Sequence, residues 1–426
     1  MRIFEKLESE VRGYIRSFPT IFTKAKGSIL TDEQGVEYID FFAGAGTLNY
    51  GHNNEHISKA LIEYLQADGI VHGLDMATTA KKEFLQTFEN LILKPRNLEY
   101  KIQFTGPTGT NAVETALKLA RLVKGRSNVV AFTNGYHGLS QGSLAVTGNN
   151  EYRDESYISR TNATFMPFDG YFGDMNTLTY FRKFLEDGSS GVDLPAAVIL
   201  ETIQGEGGIN VSSAAWLQEL ESICHEFDIL LIVDDIQVGN GRSGEFFSFE
   251  FAGITPDMVT LSKSIGGGLP MALLLFKPQL DQWKPGEHTG TFRGNNLAFV
   301  ASKVSLEHYW ENDNMSKAVK YKEKILKETL EKIAQKYKEN YEIKIRGRGL
   351  VYGFEIVNDT SMASDISALA FEERLIIETC GSEGQVVKFL PPLLIDEEIL
   401  VEGLKRFEKA VDRLVQDRKE KLSGEF

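Results

Sequence analysis

Between Lys101 and Phe276 the chain alternates short apolar runs with longer stretches in which apolar positions recur every three or four residues. The runs NVVAF, AAVIL, ILLIV, MVTLS and MALLLF end at Phe132, Leu200, Val233, Ser262 and Phe276. Apolar runs with almost no polar alternation predict strands buried on both faces, and the helical stretches between them predict covering layers. This part of the chain therefore reads as an α/β unit with a mainly parallel sheet flanked by helices. Residues 315 to 340 differ, because Val319, Ile325, Leu326, Leu330 and Ile333 stand among many Lys and Glu, the pattern of a surface helix with one buried stripe. IRGRGLVYGFEI and VVKFLPPLLI then predict two β runs, and a charged helix follows. The expected organisation is a large α/β domain over 61–305, a smaller α+β domain over 306–426, and an N-terminal segment, 1–60, that contributes to the small domain.

Charge and composition narrow the partners. A net charge of -14 argues against nucleic acid or an anionic membrane, both of which need clustered Lys and Arg. The two cysteines, Cys224 and Cys380, are too few for a disulfide framework and lack metal-ligand spacing. The opening MRIFEKLESEVRGY has no apolar leader, and no later run approaches the ~18 apolar residues of a membrane span. A cytoplasmic protein without metal, working on small molecules, is expected.

In an open parallel sheet, ligands collect beyond the carboxyl ends of the strands, so the residues after each run carry the candidate chemistry. VVAF is followed by TNGYHG, with Tyr136 and His137, and AVIL by ETIQGEGG, with Glu201, Gln204 and Glu206. LLIV is followed by DDIQVGNGRSG, with Asp234 and Asp235, and MVTLS by Lys263. A lone lysine there is explained by an amine reaching for water; a ring, an acid and a lysine at neighbouring strand ends favour a reactive amine. In TGPTGTNAVETALKLARLVKG, Gly109 and Thr110 open a helix with Val113, Ala116, Leu117 and Ala120 on its apolar stripe and Arg121 and Lys124 near its end. The free N–H groups and hydroxyls at that helix start suit a phosphate, although Thr110 is equally explicable as an N-cap. Lysine, carboxylate, ring and phosphate cradle together point to pyridoxal 5'-phosphate. No G-x-G-x-x-G follows the first strand, which argues against a nicotinamide cofactor. Gly266 to Gly268 serve either a turn or close approach to a ligand, and Arg242 either a structural ion pair or a substrate contact. His137 and His288 read as satisfied loop histidines rather than catalytic groups.

On these motifs the sequence resembles the class III pyridoxal phosphate aminotransferases of fold type I, from FFAGAGTLNYGH to VVKFLPPLLI, most specifically in LIVDDIQVGNGRSG followed by TLSKSIGGGLP. The resemblance implies that Lys263 is the Schiff-base lysine and proton carrier, and that Asp234 pairs with the pyridinium nitrogen. It likewise implies Gln237 near the cofactor hydroxyl, Tyr136 stacked on the ring, and Gly109 with Thr110 as the phosphate loop. Thr291, in HTGTFRGNN, matches a threonine that reaches the phosphate of the neighbouring subunit, which implies a homodimer or higher homo-oligomer. Glu206 matches a gating glutamate and completes the implied catalytic set with Lys263 and Asp234. Lys388 stands where the arginine partner of that glutamate is usual, and a point charge there replaces a two-pronged grip. Asp235 stands for the usual glutamate and Thr202 for the usual proline. Arg293 replaces a family glycine and is expected at the mouth of the site, against a substrate carboxylate. FRGNN, DDIQVGNGRSGEFFSFE, VVKFLPPL and the opening YIRSFPTIFTKAKGS narrow the resemblance to members that move the amino group of L-glutamate to L-aspartate 4-semialdehyde in ectoine synthesis. Acetylornithine, ornithine or 4-aminobutyrate aminotransferases are the alternative.

Overall fold

Seven strands form the central sheet of the computed structural model, which describes residues 2–157, 161–357 and 359–423. Across the sheet they run Lys101–Phe104, Leu273–Phe276, Met258–Leu261, Leu230–Asp234, Ala197–Leu200, Val129–Phe132 and Ala163–Met166. The five inner strands coincide with the five apolar runs, whereas the two edge strands are only partly buried and carry no such run. Pairing is parallel except at Leu273–Phe276, which is antiparallel to both neighbours. The link Ser262–Ala272 that feeds this strand is too short for a crossover helix, so the chain can only return antiparallel.

Alternate side chains face opposite layers. Val129, Ile199, Ile232, Met258 and Leu274 meet Val113, Ala116, Leu117 and Ala120 of the helix Gly109–Lys124. Val130, Val198, Leu231 and Val259 face the core that includes Leu217, Leu220 and Ile223 of the helix Ala214–Glu226. Burying an aliphatic side chain contributes ~1.5–3 kcal/mol, so these two layers hold the strand ends in fixed register.

The helix Asn314–Tyr337 buries Val319, Leu326, Leu330 and Ile333, while Ile325 lies at the edge of the stripe. The run IRGRGLVYGFEI, expected as one strand, divides into a hairpin of Ile343–Arg348 and Val351–Ile356. Gly349 makes the division: its φ is +66°, and a Cβ there would lie 2.3 Å from the Arg242 carbonyl oxygen. Val386–Phe389 and Glu378–Cys380 complete this antiparallel sheet. The N-terminal strands Phe22–Lys26, Ile29–Asp32 and Glu37–Asp40 form a further sheet, closed by Leu375–Ile376 parallel to the third of them. Among the described residues no helix is long and apolar enough to cross a membrane.

Arg242 ties distant motifs together. Its guanidinium is fully buried and donates to the carbonyls of Leu350 and Pro391 and to Asn49 Oδ1 at 2.6 Å. Among the described residues it forms no ion pair; its hydrogen bonds fasten GNGRSG to the hairpin, to the Pro-Pro segment and to TLNYGH. Arg242→Ala is expected to lower the unfolding free energy by ~4 kcal/mol through lost charge-assisted hydrogen bonds and the cavity left behind. Chemical denaturation of the two proteins measures the difference, and a loss below ~1 kcal/mol would contradict this role.

Candidate active site

Four adjacent strands deliver the candidate chemistry to one edge of the sheet: Met258–Leu261 leads to Lys263, Leu230–Asp234 ends in its acid, Ala197–Leu200 leads to Glu201, and Val129–Phe132 leads to Tyr136 and His137. Lys263 begins a short 3-10 turn with φ of 53°, in the left-handed region that a side chain enters only when its surroundings enforce it. Ser264 enforces it by donating its hydroxyl to the Gly46 carbonyl at 2.8 Å. The Lys263 amine donates to the Ala45 carbonyl at 2.8 Å, which a left-handed loop turns toward it: Ala43, Gly44, Ala45 and Gly46 all have positive φ. Burial pulls the amine down to about 8; Glu206 opposes that shift and Lys388 adds to it. Gly267, also left-handed, lies so close to the helix Asn296–Tyr309 that a Cβ would sit 2.9 Å from Ala301 Cβ. It serves the turn and the packing behind it.

Asp234 is almost completely buried and fully hydrogen-bonded. Oδ1 accepts from Thr260 Oγ1 at 3.1 Å and from the Ile236 amide at 3.2 Å, and Oδ2 accepts from His137 Nδ1 at 2.7 Å. Burial works against charge on His137, yet the hydrogen bond and the charge of Asp234 raise its pKa above the ordinary value. His137 is thus no ordinary loop histidine, because it orients the carboxylate that the sequence singled out. Glu201 braces two neighbouring loops, accepting from the Tyr136 amide at 3.0 Å and the Gly205 amide at 3.1 Å. Burial pushes its carboxyl up to about 7, with His137 opposing.

The third group is a chain of charges. Glu206 Oε1 accepts from Lys388 Nζ at 2.7 Å and from Gln237 Nε2 at 3.0 Å, and Gln237 Nε2 also reaches the Ala45 carbonyl at 3.1 Å. Burial acts against ionised Glu206, but Lys388 and Lys263 more than offset it and draw its carboxyl down to about 2. Lys388 has no exposed surface and is also 2.9 Å from Glu378. Tyr136, Tyr152, Glu206 and Ser382 line a small cleft beside this chain, with the rings of Tyr136 and Tyr152 edge to face at 5.5 Å.

Thr110 is not the N-cap. Thr108 holds that position, its amide and hydroxyl both donating to Asn111 Oδ1, and Thr110 falls in the first turn. Its hydroxyl pairs with Ser140 at 2.6 Å and with Ser143, while Glu114 accepts from Ser140 and from the Gly142 amide. Gly109 and Thr110 therefore offer backbone N–H groups at a helix start, the geometry that favours an anion. Asp235 lies behind the site, accepting from the Ser248 amide at 3.0 Å, and Thr202 donates to Ser248 Oγ at 2.6 Å. His288 contacts Thr115 and Lys118 on the outer helix. Thr291 and Arg293 make no described contact with Lys263, Asp234 or Tyr136. The Thr291 carbonyl meets His72 Nε2, and Arg293 lies near Thr289 and Asp75. Glu378, Tyr14 and Tyr152 escaped the sequence reading; only Glu378, an acid within the apolar run LIIETC, left a signal there.

The residues present fit pyridoxal 5'-phosphate. A partly neutral amine, a buried carboxylate held by an imidazole, a half-buried ring and a helix start converge on one edge, and Gln237 Oε1 is buried without a partner among the described residues. Gly205 leaves room beside that oxygen, since a Cβ would lie 1.8 Å from it.

The sequence matches the family Aminotransferase class-III over residues 13–411. A diaminobutyrate--2-oxoglutarate transaminase of Wolinella succinogenes is 62% identical over 427 residues, covering 100% of this chain and 99% of its own. A protein of the same name from Halomonas elongata is 57% identical over 407 residues, covering 95% and 96%. Among solved structures, the ornithine aminotransferase of Toxoplasma gondii shares the fold with a TM-score of 0.85 at 24% identity, over 98% of this chain and 95% of that one.

Attack on an aldehyde needs the neutral amine, so the lowered pKa of Lys263 fixes a pH dependence. The rate at which cofactor-free protein takes up pyridoxal 5'-phosphate, followed by the absorbance of the lysine adduct, is expected to rise with pH through a midpoint near 8. A midpoint at ~10, where a solvated lysine titrates, would contradict the burial argument.

Proposed function

Since this chain belongs to the class-III aminotransferases and is a pyridoxal 5'-phosphate-dependent enzyme, we propose that it transfers the amino group of L-glutamate to L-aspartate 4-semialdehyde, giving L-2,4-diaminobutyrate and 2-oxoglutarate. Identity of 62% along the full chain to a transaminase named for these compounds carries the reading. Reaction would proceed in two half-reactions with ping-pong order, as a step of ectoine synthesis. A homodimer or larger homo-oligomer in the cytoplasm belongs to the same reading, with Thr291 reaching the phosphate site of the neighbouring subunit and Arg293 at the mouth of the site, against a substrate carboxylate. The 61–305 segment would form the cofactor-binding domain, and the flanking segments the smaller one.

The bound cofactor supplies the electron sink that makes a C–H bond next to the reacting nitrogen acidic. The chain's own groups do the rest. Lys263 would hold the cofactor until substrate arrives, and its freed amine, drawn down to about 8 by burial, would carry the proton released from the substrate carbon. Asp234, oriented by His137, would stabilise positive charge at the ring nitrogen. Tyr136 would stack on the cofactor ring, and the start of Gly109–Lys124 would hold its phosphate. Glu206, paired with Lys388, stays in place for a substrate that reacts through its terminal amine and gives way to one that brings a carboxylate.

Adding L-2,4-diaminobutyrate to the holoenzyme is expected to discharge the visible absorbance of the cofactor, with acetylornithine and 4-aminobutyrate as parallel controls. Discharge by a control amine alone would move the substrate within the family. Lys263→Ala is expected to lower turnover by at least ~10³-fold, since both the covalent link and the positioned base are lost; near-normal turnover in that variant would exclude the assignment.

A further inference from the structure

Lys388 and Glu378 face each other as directly opposed residues of antiparallel strands, Val386–Phe389 and Glu378–Cys380. Their ion pair is 2.9 Å and is set by the backbone register. Glu206, the second partner of the same ammonium at 2.7 Å, comes instead from the loop after Ile203–Gln204. One partner of Lys388 is thus fixed by strand register, and the other comes from the loop that joins Ile203–Gln204 to Asn210–Val211. The fixed one is nearly buried, and its other oxygen accepts from the Tyr14 hydroxyl at 3.3 Å. We propose that Glu378 is a positioning residue for the dicarboxylate substrate: it retains the Lys388 ammonium from behind when Glu206 gives way, so that the substrate carboxylate takes the place of Glu206 in the same three-membered arrangement.

The physical reason is that a fully buried ammonium cannot be left alone, and removing the only partner of a buried charge is strongly unfavourable. With Glu378 present, departure of Glu206 exchanges two counter-charges for one. Burial pushes the Glu378 carboxyl up to about 7, Lys388 opposing and the charge of Glu206 adding to the rise. When Glu206 leaves, that repulsion goes with it, and Glu378 takes the ammonium more firmly. A substrate that reacts through a terminal amine puts a methylene chain beside the reacting carbon, so Glu206 has no need to leave.

The inference rests on the proposed reaction, and the test separates the two. Single-turnover rates of holoenzyme with L-glutamate and with L-2,4-diaminobutyrate are followed by cofactor absorbance in the wild type, Glu378→Gln and Tyr14→Phe. Glu378→Gln is expected to slow the glutamate half-reaction at least tenfold while the diaminobutyrate half-reaction stays within twofold. Tyr14→Phe, which removes only a hydroxyl at the edge of the array, is expected to act in the same direction by two- to fivefold. A readout without turnover is the association rate of glutarate, an unreactive five-carbon dicarboxylate, followed by stopped-flow fluorescence; it should fall in parallel. Equal slowing of both half-reactions, or no slowing of either, would overturn the role of Glu378. A wild type that responds to neither amino acid would overturn the proposed reaction, and the glutarate rates would then decide on Glu378 by themselves.

Discussion

Charged groups placed at the buried ends of strands cost several kcal/mol each if they stand alone, and the site is arranged so that none does. Lys388 lies between Glu206 and Glu378. Asp234 has hydrogen bonds on both oxygens, and the amine of Lys263 rests on a carbonyl with Glu206 near by. The balance is uneven in a useful way. Lys388 is held so firmly that its pKa stands well above the ordinary value, whereas Lys263 has one neutral acceptor and is drawn down. Two lysines in one small region thus differ in reactivity, through what surrounds each of them.

That difference depends on the backbone between Ala43 and Gly46. Four successive residues with positive φ, two of them alanines, form a conformation that costs free energy wherever Cβ is present. The loop directs the Ala45 carbonyl at both Lys263 and Gln237 and gives the Gly46 carbonyl to Ser264. Asn49, a few residues on, binds Arg242 and the Asn240 carbonyl. The N-terminal segment is therefore part of the site's framework, although it lies some 200 residues away from the lysine in sequence.

The fold is shared with an aminotransferase structure at 24% identity. Lys388 departs from the usual arginine, and its single ammonium is shared between two acids. An arginine at that position would make bidentate contacts in a plane; a lysine permits a partner on either side, and the opposed strand supplies one of them in Glu378.

The sequence by itself determined the five inner strands, the order of the candidate groups along the chain and their location after strand ends, because apolar runs and their boundaries are local properties of the chain. Asp234, Lys263, Glu206 and Tyr136 were legible for that reason. The edge strands were not, since partial burial leaves no continuous apolar run, and the hairpin at Gly349 hid inside one β-like stretch. His137 looked like a loop residue because its partner Asp234 is 97 positions away. Thr110 looked like a cap because the adjacent Thr108 offers the same hydroxyl. The pairing of Glu206 with Lys388 was implied by the resemblance, but the addition of Glu378 and Tyr14 to it was beyond any local pattern. Only tertiary structure decided it, because the strength and pairing of a charge depend on how far it is buried and on which opposite charge the packing brings within 3 Å of it.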